Sequence, residues 1–95
     1  MRLELRNDAG ALVHEQFVGP DSDAGKRCGI GFNPSGSVAI AGVKGMCAAA
    51  MQFLIDHRNS SNDEEARRCF RIAADHLEAA QMFAVKGIAH KERKS

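Results

Sequence analysis

The chain changes period at Asn33-Pro34, and that change decides what it can fold into. Before it, over residues 2–6 and 11–18, apolar and polar residues alternate. After it, apolar residues recur every three or four positions, with one short polar break at 59–62. Such a pattern is a small β-element followed by two long helices. Pro34 disfavours the helical conformation at Asn33, so the helix begins beyond it. Ser35 or Ser37 is placed to cap it, a hydroxyl accepting from a backbone N–H that the helix leaves unpaired.

Residues 2–6 alternate charge and Leu, a half-buried strand. Residues 7–10 (Asn-Asp-Ala-Gly) favour a turn. Residues 11–18 form a second extended run, with Leu12, His14, Gln16 and Val18 on one face and Val13, Glu15 and Phe17 on the other. Together these predict a β-hairpin. A lone hairpin is marginal in water, so this one must pack on something. Residues 19–31 are rich in Gly and Asp and lack a period, which predicts a loop with a short third strand near 28–32.

The first helix is expected over 38–58, with a stripe through Ile40, Val43, Met46 or Cys47, Ala50, Phe53 and Leu54. Gly42 and Gly45 each cost about 1 kcal/mol relative to Ala inside a helix. Close approach of another helix would account for them. Ser60, Ser61 or Asn62 can cap a second helix over 63–89, whose first turn holds Asp63, Glu64 and Glu65, favourable to the helix dipole. It carries two stripes: Ala66, Phe70, Ala73, Leu77, Ala80 and Ala84, and Cys69, Ile72, Ala79, Phe83 and Ile88. The short turn makes the helices antiparallel neighbours, roughly 30 and 40 Å long. The expected fold is α+β: an N-terminal β-hairpin or small antiparallel sheet, then a long antiparallel two-helix hairpin. One domain spans 1–95, divided into hairpin and loop (1–31), helical hairpin (32–90) and basic tail (91–95). Both helices show more apolar faces than a small hairpin covers, which predicts a homo-oligomer.

Net charge is +1 and the only aromatics are five Phe. Neither a general electrostatic attraction to nucleic acid or membrane nor a platform of stacking rings follows. No apolar run approaches the ~20 residues of a membrane span, and the N-terminus is no signal peptide. A cytoplasmic protein is expected, that of a host bacterium if the family resemblance below holds. Cys28, Cys47 and Cys69 are odd in number, widely spaced and unmatched by a histidine pair, so neither a disulfide framework nor a metal site is expected. Cys47 and Cys69 fall in helical patterns and read as small core residues.

Enzyme signatures fail. Gly29-Ile-Gly31 would need its third glycine at Pro34, and Gly36 to Lys44 lacks the phosphate-loop spacing. No catalytic residue and no cofactor are expected; His57 and His76 read as satisfied or surface imidazoles. What remains is an anion-binding set. The helix start offers N–H groups of Gly36, Ser37 and Val38, with Ser35 beside them. Phe32 can stack on a base and Asn33 can read a base edge or ribose. Lys44 lies two turns on. Arg67, Arg68 and Arg71 open the second helix, and guanidinium forks suit phosphate.

Phe32-Asn-Pro-Ser-Gly36, Val43-Lys44 followed by Ala48-Ala-Ala50, and Leu77-Glu-Ala-Ala-Gln-Met-Phe-Ala-Val-Lys86 resemble the Thoeris anti-defence sponge proteins of bacteriophages. That family shares a two-helix hairpin domain with the phage sponges that block cyclic-oligonucleotide (CBASS) immunity. The resemblance spans most of the chain, and the strands at 2–6 and 11–18 match the family's layout. It implies a binding protein and no enzyme, one that sequesters cyclic ADP-ribose isomers made by TIR-domain enzymes and never cleaves them. It implies small homo-oligomers, hexamers among them, with pockets between protomers; some members hold cyclic di- or trinucleotides at a separate site. By position it implies base contacts from Phe32 and Asn33 and phosphate contacts from Arg67, Arg68 and Arg71. The chain departs from the family in its slim β-part and its unmatched segment 19–31.

Two other readings stand beside this one. One is a structural or regulatory helical-hairpin interaction module with no small ligand. The other is a nucleic-acid adaptor using Arg67, Arg68, Arg71 and the basic residues 91–94, against which the near-zero net charge speaks.

Overall fold

The computed structural model describes residues 1–94 and carries no ligand. Strands β1 (Arg2–Arg6) and β2 (Leu12–Phe17) pair antiparallel, with Leu3 opposite Gln16 and Leu5 opposite His14. The turn closes as its residues dictate. Asn7 Oδ1 accepts from the N–H groups of Ala9 and Ala11, both at 3.0 Å, and Gly10 takes φ +83°. The register sets Glu4 against Glu15, a repulsive pair offset by Arg2 and Arg6, which reach Glu4 at 3.1 and 2.9 Å.

Residues 19–31 are not the expected loop with a third strand. Their centre is a helix, α1 (Asp23–Cys28). Ser22 caps it, its Oγ accepting from Gly25 N at 2.9 Å, and Gly29 ends it at φ +64°. At six residues α1 is too short to show a period, and it persists because packing holds it. Ala24 and Cys28 enter the core. Gly25 is there for space: a Cβ would lie 1.9 Å from the Gly19 carbonyl oxygen.

The two long helices are α2 (Val38–Ser60) and α3 (Glu64–Lys94). They pack antiparallel through Ala48, Met51 and Ile55 of α2 and Ala74 and Leu77 of α3. α3 runs through Gly87 into the segment expected to be a basic tail; Ser95 lies outside the described residues. The cap of α3 is Asp63, whose Oδ2 accepts from Ala66 N at 3.0 Å, in place of Ser60, Ser61 or Asn62.

Several faces differ from expectation. On α2 the buried row is Ile40, Lys44, Ala48, Met51 and Ile55, while Met46, Ala50 and Phe53 face outward. The stripe read from sequence is rotated because α2 is apolar nearly all round, so period alone does not choose its inner side. Its glycines do not serve a helix contact. Gly45 makes room for the Met1 side chain, and Gly42 faces open space. Cys69 is exposed, against expectation; Cys47 is half-buried and packs on the core, whose fully buried thiol is Cys28. By length and apolarity α2 is also long enough to cross a bilayer, contrary to the sequence reading. Here α1 and α3 pack against it.

Candidate functional site

The junction is built locally. Gly29 O accepts from Phe32 N at 3.0 Å and Asn33 O from Gly36 N at 3.1 Å, with Gly36 at φ +68°. Asn33 Nδ2 donates to Ser37 O at 2.9 Å, and Ser35 Oγ donates to Asn33 Oδ1 at 3.3 Å. Asn33 and Ser35 therefore stiffen the junction with the groups a ligand would use. Phe32 is 69% exposed. Its ring lies over the Lys44 ammonium at 5.6 Å, a cation–π contact that covers one face.

Lys44 is not an open phosphate contact. It is buried, and its Nζ donates to Gly29 O at 3.2 Å and to Phe32 O. It ties the end of α1 to the start of the junction.

The start of α2 is also partly occupied. Ser37 Oγ accepts from Ile40 N, Ser37 N donates to Ser35 Oγ, and Gly36 N is taken by Asn33 O. Of the three N–H groups expected to face an anion, Val38 keeps its own free of these local bonds. The Glu92 carboxylate from the end of α3 accepts from Ser37 Oγ at 2.9 Å. It stands where the helix dipole favours negative charge.

The arginines sit at the other end of the hairpin. Arg67 Nη1 donates to the carbonyls of Arg58 and Ser61, closing the inter-helix turn. Arg68 pairs with Glu65 at 3.0 Å. Arg71 is exposed and makes no ion pair among the described residues. The rise of α2 puts this cluster about 30 Å from Phe32. One chain thus brings Phe32, Asn33, Ser35, Gly36 and Lys44 together and leaves Arg67, Arg68 and Arg71 apart from them.

One concavity of ≈ 300 Å³ touches the junction directly, lined by Ser35 with Ile40, Ala89, Glu92 and Arg93; three others lie along the chain. An apolar groove of ≈ 500 Å³ runs along the first half of α2, its walls including Gly31 and Val38 beside the junction, with Pro20 and Ile30 opposite. A second, of ≈ 470 Å³, lies between the inner face of the hairpin (Leu3, Leu5, His14, Gln16) and Ala49, Ala50 and Phe53. A cleft of ≈ 290 Å³ is lined by Lys26, Arg27 and Arg58 with Asp23. Lys26 belongs to a basic pair visible in the sequence, Lys26-Arg27, and only the fold brings it to Arg58. Arg27 is committed elsewhere, to Asp75 at 2.7 Å and Glu78 at 2.5 Å on α3, and the Glu78 contact first of all raises its pKa.

Burial pushes the Cys28 thiol up to about 11 and raises that of Cys47, so neither is a ready nucleophile at neutral pH. His57 is held between Phe53 and Phe70, with ring centroids 4.5 and 5.7 Å away, and His76 is exposed. No protein-family model, curated protein or solved structure matches this chain.

Proposed function

We propose that the protein is a phage anti-defence sponge. It binds cyclic ADP-ribose isomers, and cyclic di- or trinucleotides as further ligands, and holds them without cleavage in a homo-oligomer. The observation that carries this reading is Phe32: a large ring, 69% exposed, backed by a cation and set beside an apolar groove of ≈ 500 Å³. An exposed ring of this kind offers a face on which a base can stack. A cyclic ADP-ribose isomer offers an adenine for the ring and two phosphates for cations. The phosphate-directed Arg71 lies about 30 Å away within the chain. A pocket that uses both Phe32 and Arg71 is therefore composite, its stacking wall from one protomer and that cation from another. A preformed pocket of this kind avoids the cost of ordering on binding.

Calorimetry with a panel of cyclic ADP-ribose isomers and cyclic di- and trinucleotides tests the reading, followed by denaturation to recover the ligand. Saturable binding and recovery of the intact molecule are expected. Absence of binding across the panel leaves the ligand-free interaction module as the better reading, and recovery of a cleaved product makes the protein an enzyme.

A further inference from the structure

The junction has an uncommitted cation beside it within its own chain. The last turns of α3 return to the start of α2. The concavity of ≈ 300 Å³ between them is lined by Ser35 and Ile40 on one side and by Ala89, Glu92 and Arg93 on the other. Its two charged groups are differently engaged. The Glu92 carboxylate accepts from Ser37 Oγ at 2.9 Å. Arg93 is exposed and makes no ion pair or hydrogen bond among the described residues. Successive helix residues point about 100° apart. Anchoring Glu92 on Ser37 therefore fixes where the Arg93 side chain leaves the helix.

The charge around this concavity is mostly of one sign. Residues 86–94 hold Lys86, Lys91, Arg93 and Lys94 against Glu92 alone. At the far end of the helices, residues 58–71 hold Arg58, Arg67, Arg68 and Arg71 against Asp63, Glu64 and Glu65. The local field thus draws an anion to the junction end more strongly than to the Arg71 end.

We propose that this concavity is the phosphate subsite of the nucleotide pocket, with Arg93 as its cation and Phe32 of the same chain as its stacking wall. Ser35 follows Phe32 by three residues, and three residues of chain reach at most about 11 Å. One nucleotide covers that span from base to phosphate. The Arg93 guanidinium is a fork that meets two phosphate oxygens at once. Ser35 Oγ donates to Asn33 Oδ1 over a long 3.3 Å, so its proton can turn to a phosphate oxygen instead. Ile40 and Ala89 supply an apolar floor for the carbon face of a ribose. Glu92 acts on this subsite in two ways. It orients Arg93 through the Ser37 contact, and its like charge weakens the hold on a phosphate. The inference rests on the nucleotide-binding part of the proposed function and not on self-association, since it needs no cation from a second chain.

Calorimetry on three variants tests it, with the cyclic ADP-ribose isomers and, separately, with inorganic pyrophosphate. Arg93→Ala is expected to weaken binding of the isomers about tenfold or more. Arg71→Ala lies about 30 Å from Phe32, beyond the screening length of about 8 Å at physiological salt, and is expected to leave binding unchanged. Glu92→Gln keeps an oxygen for Ser37 to donate to and is expected to tighten binding about threefold. Pyrophosphate is expected to bind the wild type weakly and Arg93→Ala not measurably. Circular dichroism should be the same for all, because Arg93 holds nothing in the fold. Isomer binding indifferent to Arg93→Ala overturns the inference and leaves the sponge reading standing. Binding lost in Arg71→Ala and kept in Arg93→Ala overturns it in favour of the composite pocket. If no isomer binds but pyrophosphate does, and needs Arg93, the sponge reading fails while the anion subsite stands. If neither binds, both fail.

Discussion

Lys44 and Phe32 are adjacent in space and opposite in role. Lys44 stabilises the fold by donating to the Gly29 and Phe32 carbonyls; Lys44→Ala takes the side-chain donor from Phe32 O, leaves Gly29 O with the Phe32 N–H alone, and unties α1 from the junction. The expected cost is about 2–3 kcal/mol, read as a lower midpoint in urea. Phe32→Ala removes a mostly exposed ring, and a loss under about 1 kcal/mol is expected, with any ligand binding weakened. A Phe32→Ala protein that unfolds would make Phe32 an anchor of the core and remove it from the site. Cys28 carries a pH signature. Its thiol titrates near 11 in the fold against an ordinary value of 9.0, because burial disfavours the thiolate. Between those values the unfolded chain has released the proton that the folded chain keeps. This contribution is therefore complete below pH 9, falls as pH rises, and is gone above pH 11. Cys28→Ala should flatten the decline in that window, measured as denaturation midpoint against pH.

At the scale of elements, α1 and α2 contain glycines that look alike in sequence and differ in structure. A Cβ at Gly25 would strike the Gly19 backbone 1.9 Å away, whereas one at Gly42 meets nothing within 4 Å. Gly25→Ala should destabilise by about 3 kcal/mol or prevent α1 from docking. Gly42→Ala should stabilise by about 0.5–1 kcal/mol, since Gly costs that much inside a helix. Thermal melts of the two variants check both signs. α1 is bounded by a capping serine, Ser22, and a left-handed glycine, Gly29, but its six residues are too few to show a period and the segment reads as a loop. Its attachment to α3 through Arg27, Asp75 and Glu78 was not legible, because those groups lie about fifty positions apart in the chain.

For the whole molecule, the apolar surface outweighs what one chain can bury. Phe17, Phe32, Met82 and Phe83 are each more than 60% exposed. If a second copy covers the α3 part of this surface, mass action raises the melting temperature with protein concentration. A rise of a few degrees between 1 and 100 µM is expected for the wild type, and none for Phe83→Glu. A flat wild-type profile would mean that the surface is covered by something other than this chain. The expectation of self-association was legible in the helical stripes. The α3 stripe through Cys69, Ile72, Ala79 and Phe83 is largely the exposed one, and that through Phe70 and Leu77 faces α2, an assignment period alone cannot make.

By itself the sequence determined the local features: the hairpin with its turn at 7–10, the break at Pro34, a cap at Ser35 or Ser37 and two long helices with a polar turn between them. These depend on interactions within about four residues, which the order of residues states directly. Only the tertiary structure decided which face of each helix is buried, that Lys44 is spent on two carbonyls, that Glu92 closes on Ser37, and that Phe32 and the arginines stand at opposite ends. Each of these depends on which distant segment arrives, and a helix that is apolar nearly all round offers several equally good faces until one does.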